Sequence, residues 1–447
     1  MRSTSGAPMS RRRFLTTSTG VAAAATAGGL LSGCAGSVSS GDSGGKTTLT
    51  IMSSGTELGT AAEIKQAEKT LGMTLKVVKY DLTRLTAMLT SGSAPDIVRA
   101  EGSDAPYLAS HSVAQDLDDY FAKSTVLKAA DLDPVNDIWR WDGKKQGSGP
   151  RYGMVKDYSQ NYTLWYNTAL FDAADEPYLS ETVPLTYDKL LDVGKRLGAS
   201  GKKSKAYGLS MGGTFETFMI MTTQAGGQLF NDDYSAVDFT GDAAKSALAW
   251  YIDLAKSRIT ASLAYPDPNG WDWPTFQAGR MAITAQGYWF GGQIVTDEKI
   301  AATARFAPAP QLGGRRMSTC YTGTGLWMPK AGKNKDAAWE AMEYFLGGAP
   351  AKKRAETGSG LPALKSLRPL LPKTKGFQKE AYAVQSKELE YFSVLPFTPY
   401  IRMDAMNAVI YQLTPGAIKG STSVTKLADQ LNEGINKQLA NGKKLIK

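Results

Sequence analysis

The stretch Pro268–Gly292, PNGWDWPTFQAGRMAITAQGYWFGG, gathers the residue types best suited to hold a small ligand without reacting with it. Trp271, Trp273, Tyr288 and Trp289 flank one short apolar run, Met281-Ala282-Ile283-Thr284, which reads as a buried strand bounded by glycines. Aromatic rings therefore sit at both ends of a strand. Trp and Tyr offer a flat apolar face and one polar tip, which suits a ligand carrying both C–H faces and hydroxyls, as a sugar does. The same rings can serve as core or loop anchors. As a cluster they read as a binding wall.

The surrounding elements follow from hydrophobic pattern and turn chemistry. Thr48–Met52 reads as a strand, Ser53–Glu57 as a turn, and Gly59–Thr70 as a helix. Leu75–Val78 is the next strand; helix Leu82–Ser91 leads to a strand at Ala94–Val98 that runs into Glu101-Gly102-Ser103-Asp104. Alternating strands and helices predict an α/β protein whose sheet is mainly parallel, with ligands gathering outside the carboxyl ends of the strands. Tyr207–Ser210 reads as a strand, with Thr214 and Glu216 at the helix start that follows, the same geometry as Ser54–Glu57. Thr186 is the expected N-cap of a helix through Arg196. Ser246–Lys256 and Asp336–Leu346 read as amphipathic helices, with Trp250 and Trp339 turned to packing. Asp267–Asp272 resembles the start of a calcium loop but lacks the bidentate acid at its far end, and no metal site is expected.

The N-terminus is expected to be a targeting segment. Arg11-Arg12-Arg13-Phe14-Leu15, an apolar run over Val21–Leu31, and Leu31-Ser32-Gly33-Cys34 together resemble a twin-arginine signal peptide ending in a lipobox. That resemblance implies removal of residues 1–33, a diacylglycerol on Cys34 as a membrane anchor, and a Gly/Ser-rich tether over 34–46. Loss of four arginines and no acid would take the formal charge from +9 to +5. The remaining charges are mixed in sign, with no basic stripe for nucleic acid. With Cys34 committed to lipid, Cys320 has no partner for a disulfide. His111 is the one histidine, so no Cys/His zinc cluster can be assembled and a His-dependent triad would have to use that residue.

Seven stretches in order, TLTIMSSGTE, SAPDIV, LWYNTALF, YGLS, FQAGRMAITAQGYW, FAPAPQLGGRR and GTGLWMPKAGKNKDAAWEAMEYF, resemble the extracellular sugar-binding proteins of ABC importers, the group typified by the maltose-binding protein. The resemblance implies a two-lobe periplasmic-binding-protein fold with a hinge, the chain crossing near Ser159–Tyr162 and Tyr321–Gly325. It places residues 46–158 and 324–372 in the first lobe, and 159–323 with 373–447 in the second. It also implies that the segment entering the terminal helices, here Tyr400 and Arg402, adds contacts to the ligand.

The expected function is therefore delivery of a mono- or oligosaccharide to an ABC permease driven by a cytoplasmic ATPase, at the cell surface or in the periplasm. The protein is expected to be a monomer without cofactor or catalysis. Stacking is assigned to Trp271, Trp273, Trp289 and Tyr400, with Tyr288 and Tyr321 in reserve. Polar contacts are assigned to Ser54, Thr56, Glu57, Glu101, Asp104, Gln160, Thr214, Glu216 and Arg402. Two other classes stay open: an exported glycan-active enzyme, since acids and aromatics also line glycosidase clefts, and a binder of non-sugar solutes such as polyamines, which use aromatic boxes.

Overall fold

The computed structural model describes residues 46–446 apart from 56, 201–205 and 375. The signal segment, Cys34, most of the tether and Thr56 lie outside the described residues.

Strand Thr48–Ser53 is the centre of the first sheet. Leu49, Ile51 and Met52 are fully buried, as expected of a strand covered on both faces. It pairs in parallel with Thr74–Lys79 on one side and with Ile97–Ala100 on the other. Gly325–Trp327 then adds antiparallel to Ile97–Ala100, and Met154–Val155 completes the five strands. The connecting helices are set by their caps. Ala61–Leu71 opens with a capping box, Thr60 accepting from Glu63 N at 3.3 Å and Glu63 accepting from Thr60 N at 2.7 Å, and it ends at left-handed Gly72. Leu82–Thr90 is capped by Asp81. Because Thr48–Ser53 and Ile97–Ala100 are parallel neighbours, their carboxyl ends bring Glu57 and Glu101 to one edge.

The second sheet is built on Leu164–Asn167, antiparallel to both Ala304–Ala307 and Ile283–Thr284. The strand expected at Tyr207–Ser210 makes two single bridges to this sheet, at Met281 and Thr284. Helices Tyr187–Ser200, Phe215–Gln224, Asp242–Lys256, Met403–Ile418 and Val424–Lys443 share the buried cluster around Phe218, Leu248 and Tyr251. Trp250 and Trp339 are buried at 5% and 7% exposure, the packing use expected of them.

Two hydrophobic groups result, and the aromatic stretch stands at their junction. Met281, Tyr288 and Phe290 belong to the group beneath the five-stranded sheet, while Ala282 and Ile283 face the other. The chain passages expected to cross between lobes lie side by side. Asn161 N donates to Thr319 O at 2.8 Å, and the Asn161 side chain accepts from Tyr321 N at 3.0 Å and donates to Thr322 at 3.2 Å. Ser318–Cys320 also pairs with Phe392–Val394. A turn and short strands in contact at one place, with Gly323 at φ +44°, are what a bending joint requires.

Candidate ligand-binding cleft

A cavity of about 560 Å³ lies between the edge of the five-stranded sheet and the second sheet. One wall carries Glu57, Arg99, Glu101, Lys156 and Thr324; the facing wall carries Gln286, Trp289 and Gln293; Ser159, Asn161 and Tyr321 form the floor at the chain crossings. A second space of about 300 Å³ continues from it, sharing Arg99, Glu101, Tyr321 and Thr322, and is closed by Asp104, Glu216, Arg402 and Asn407.

Trp289 is positioned by its own turn. Gly287, at φ +75°, turns the chain, and Trp289 N donates to Ser159 Oγ at 2.8 Å. The half-buried indole packs edge-on to Phe290, with centroids 5.6 Å apart, and its remaining surface faces the cavity. Beside it, Asp272 anchors the end of the strand, accepting from Ser210 Oγ at 3.0 Å, Thr284 Oγ1 at 2.5 Å and Gln286 Nε2 at 2.9 Å.

The opposite wall is organised by Arg99. Its guanidinium meets Glu57 at 2.9 Å and Glu101 at 2.5 Å, and the other Glu101 oxygen accepts from Thr324 Oγ1 at 2.7 Å. Burial works against the charge on Arg99, and the two carboxylates more than restore it, so its pKa is raised. Arg402 is held in the same manner by Asp104 at 2.5 Å and the Tyr80 hydroxyl at 2.8 Å. There too burial opposes the charge, the partners outweigh it, and the guanidinium titrates above its ordinary range. Glu216 is different. It is 4% exposed and accepts from Asn407 Nδ2 at 3.0 Å, and burial pushes it above the usual carboxylate range.

Of the residues assigned from sequence, Glu57, Glu101, Asp104, Glu216, Trp289 and Arg402 come together around these two spaces, as does Tyr321 from the reserve. Others are placed elsewhere. Gln160 is fully buried and donates to Ser318 O at 3.2 Å and Glu388 O at 2.5 Å. Trp273 is 8% exposed and packs edge-on to Phe290, while Tyr288 does the same against Phe306. Thr214 caps helix Phe215–Gln224, and Ser54 turns the chain after the first strand; neither lines these spaces. Trp271 is 43% exposed at the start of helix Asp272–Gln277, so the three indoles do not share one cavity. Tyr400 lines a third space of about 530 Å³, which Arg402 separates from the second and which His111, stacked on Tyr107, also borders.

Sequence reasoning passed over Arg99, Tyr80, Asn161, Gln286 and Asn407. A signal existed for Arg99, a cation within the otherwise apolar strand Ile97–Ala100 next to an assigned acid. Cys320 is buried, and burial pushes its thiol up to about 12, which leaves it inert. Among the described residues no cluster of His, Cys, Asp and Glu can hold a metal ion, and no helix is long and apolar enough to cross a membrane.

Solved structures share this architecture. An ABC substrate-binding protein from Listeria monocytogenes, in complex with cycloalternan, is 21% identical, with a TM-score of 0.73 over 89% of this chain and 100% of that one. A solute-binding protein from Thermotoga lettingae, bound with alpha-D-tagatose, is 22% identical, with a TM-score of 0.71 over 88% of this chain and 100% of that one. The GacH receptor of Streptomyces glaucescens, unliganded and in complex with acarbose, is 20% identical, with a TM-score of 0.69 over 89% and 99%. A search of curated proteins gives no significant match. Residues 79–350, more than half of the sequence, match the family of bacterial extracellular solute-binding proteins. The chain is a member of that family.

Proposed function

We propose that this protein captures a mono- or oligosaccharide outside the cell and hands it to an ABC permease with a cytoplasmic ATPase, its two lobes closing on the ligand. The observation that carries the reading is the cleft itself, where the Trp289 face lies opposite the Glu57–Arg99–Glu101 group. A pyranose presents an apolar face to an indole and hydroxyls to carboxylates and guanidinium, and a wrong isomer leaves a buried group unpaired at a cost of about 1–3 kcal/mol. The sugars bound by the similar structures support the same class. The lobes are proposed as 46–158 with 324–372, and 159–323 with 373–447. The N-terminal sequence supports export through a twin-arginine signal and anchoring by lipid on Cys34; a monomer at the cell surface or in the periplasm is the working form.

The site is read as one that leaves the ligand intact. Glu57 and Glu101 both pair with one guanidinium, that of Arg99, so neither carboxylate stands free to act as a catalytic acid. A panel of mono- and oligosaccharides tests the function by melting temperature. A ligand at 100 times its Kd stabilises by about 2.7 kcal/mol, or about 3 °C for a chain of this size. Absence of a shift with every saccharide contradicts the reading, a shift with polyamines alone moves it to another solute class, and released products would make the protein an enzyme.

A further inference from the structure

The smaller part of the cleft differs in charge from the larger. Glu101, Asp104, Glu216 and Asp404 line it against Arg99 and Arg402, an excess of two acids. Around the larger part three acids meet three bases. Both guanidiniums of the smaller part are already engaged, Arg99 by Glu57 and Glu101, Arg402 by Asp104 and Tyr80. Glu216 is left over. Its partners are all neutral, Asn407 Nδ2 at 3.0 Å, the Thr214 hydroxyl and its own backbone N–H, and among the described residues no Lys or Arg pairs with it. Ser103, 3% exposed, lines the same space, and its buried Oγ has no hydrogen-bond partner. Tyr321 and Tyr411 add phenol rings, whose faces attract cations. A buried carboxylate without a cation is costly to ionise, and a positive charge brought by a ligand would offset that cost.

We infer that this part of the cleft receives a protonated amine, so that the solute is a saccharide carrying a basic nitrogen, with Glu216 as its counter-ion and the Ser103 hydroxyl as an added acceptor. The inference rests on the carbohydrate reading and narrows it. A neutral hydroxyl in the same place gains only an ordinary hydrogen bond, whereas an ammonium gains a charge-assisted one in a buried setting. Because burial raises the pKa of Glu216, the advantage of the amine grows as pH rises and Glu216 ionises.

The test uses matched ligands that differ only by an ammonium for a hydroxyl: glucosamine and its β-1,4 oligomers against glucose and cello-oligosaccharides. Calorimetric titration is expected to give the amine member at least about tenfold tighter binding, the size of one buried charge-assisted contact. Glu216→Gln is expected to bring the ratio to within about twofold, since the amide keeps the shape and loses the charge. If that variant does not fold, the wild-type ratio at pH 7 and pH 4 serves instead, and is expected to shrink at the lower pH. Equal or tighter binding of the neutral members overturns the inference, as does a preference that survives Glu216→Gln or is unchanged by pH. If other neutral sugars bind while the amines do not, the inference falls and the carbohydrate reading stands; if no saccharide binds, both fall.

Discussion

Trp289 is the residue on which the proposed contact depends. Its backbone is fixed by Ser159, its ring stands at right angles to Phe290, and its half-buried indole lines the cleft. Trp289→Ala is expected to weaken saccharide binding by about 2 kcal/mol or more, roughly 30-fold, because aromatic anchors dominate such sites. The melting temperature without ligand should change little by comparison, and unaltered affinity would remove Trp289 from the site. Glu216 gives a second prediction, read without ligand. Burial holds its pKa in the fold above the ordinary carboxylate value of 4.5, so the folded state holds the proton more tightly than the unfolded one. The stability contributed by that group is fully present below pH 4.5 and is lost as pH rises through the folded value. Glu216→Gln, neutral throughout, should therefore melt higher than wild type at pH 7, with the difference shrinking toward pH 4.

Neighbouring residues also explain how far the site could be read in advance. Gln160 opens a turn closed by Thr163 N on its carbonyl, and the two neighbouring amides part there: Gln160 goes inward to Glu388, Asn161 lines the cleft. Composition suggests that an amide belongs there but does not set the phase. Trp271 and Trp273 divide in the same way at the start of one short helix. Glu57, Glu101 and Asp104 are legible as cleft residues because the strand ends of a parallel sheet open onto such a space. Arg354, half-buried in the cleft wall from helix Ala349–Thr357, carries no local signal.

At the scale of elements, the turn Gly287–Phe290 converts a strand end into a platform. A Cβ on Gly287 would lie 2.9 Å from Ser159 Cβ and 3.2 Å from Gln160 O, at a φ of +75° that other residues rarely adopt. Gly287→Ala is expected to cost about 1–3 kcal/mol and to weaken binding, since the strain falls on the turn that orients Trp289. Unfolding and titration of the same variant check both parts; an unchanged melting temperature would mean that the turn has slack. The elements themselves were largely legible. Thr48–Ser53 and Ala61–Leu71 follow hydrophobic period and caps, whereas the helix expected over Ser246–Lys256 begins four residues earlier, at Asp242, where no side chain caps it. Tyr207–Ser210 has strand composition, but tertiary packing leaves it only two bridges, and composition cannot count partners.

Across the whole molecule, the Arg402–Asp104 pair joins the helix after Ile97–Ala100 to the start of Met403–Ile418, at the far end of the cleft. Both side chains are largely buried, so Arg402→Met should cost about 3–5 kcal/mol by leaving Asp104 unpaired, and adding Asp104→Asn should recover much of it. Additive losses in that cycle would show that the two residues act separately. The two-lobe arrangement could be expected from the order of seven stretches along the chain, whereas the way two hydrophobic groups meet at Met281–Ile283 could not, because it depends on which face of a strand each core claims. The most direct measurement is a crystal structure of the protein with the saccharide that gives the largest rise in melting temperature. The account predicts a pyranose ring stacked about 4 Å from the Trp289 indole, its hydroxyls on Glu57, Arg99 and Glu101. A saccharide seated instead in the space beside Tyr400 and His111, with Trp289 untouched, would contradict it.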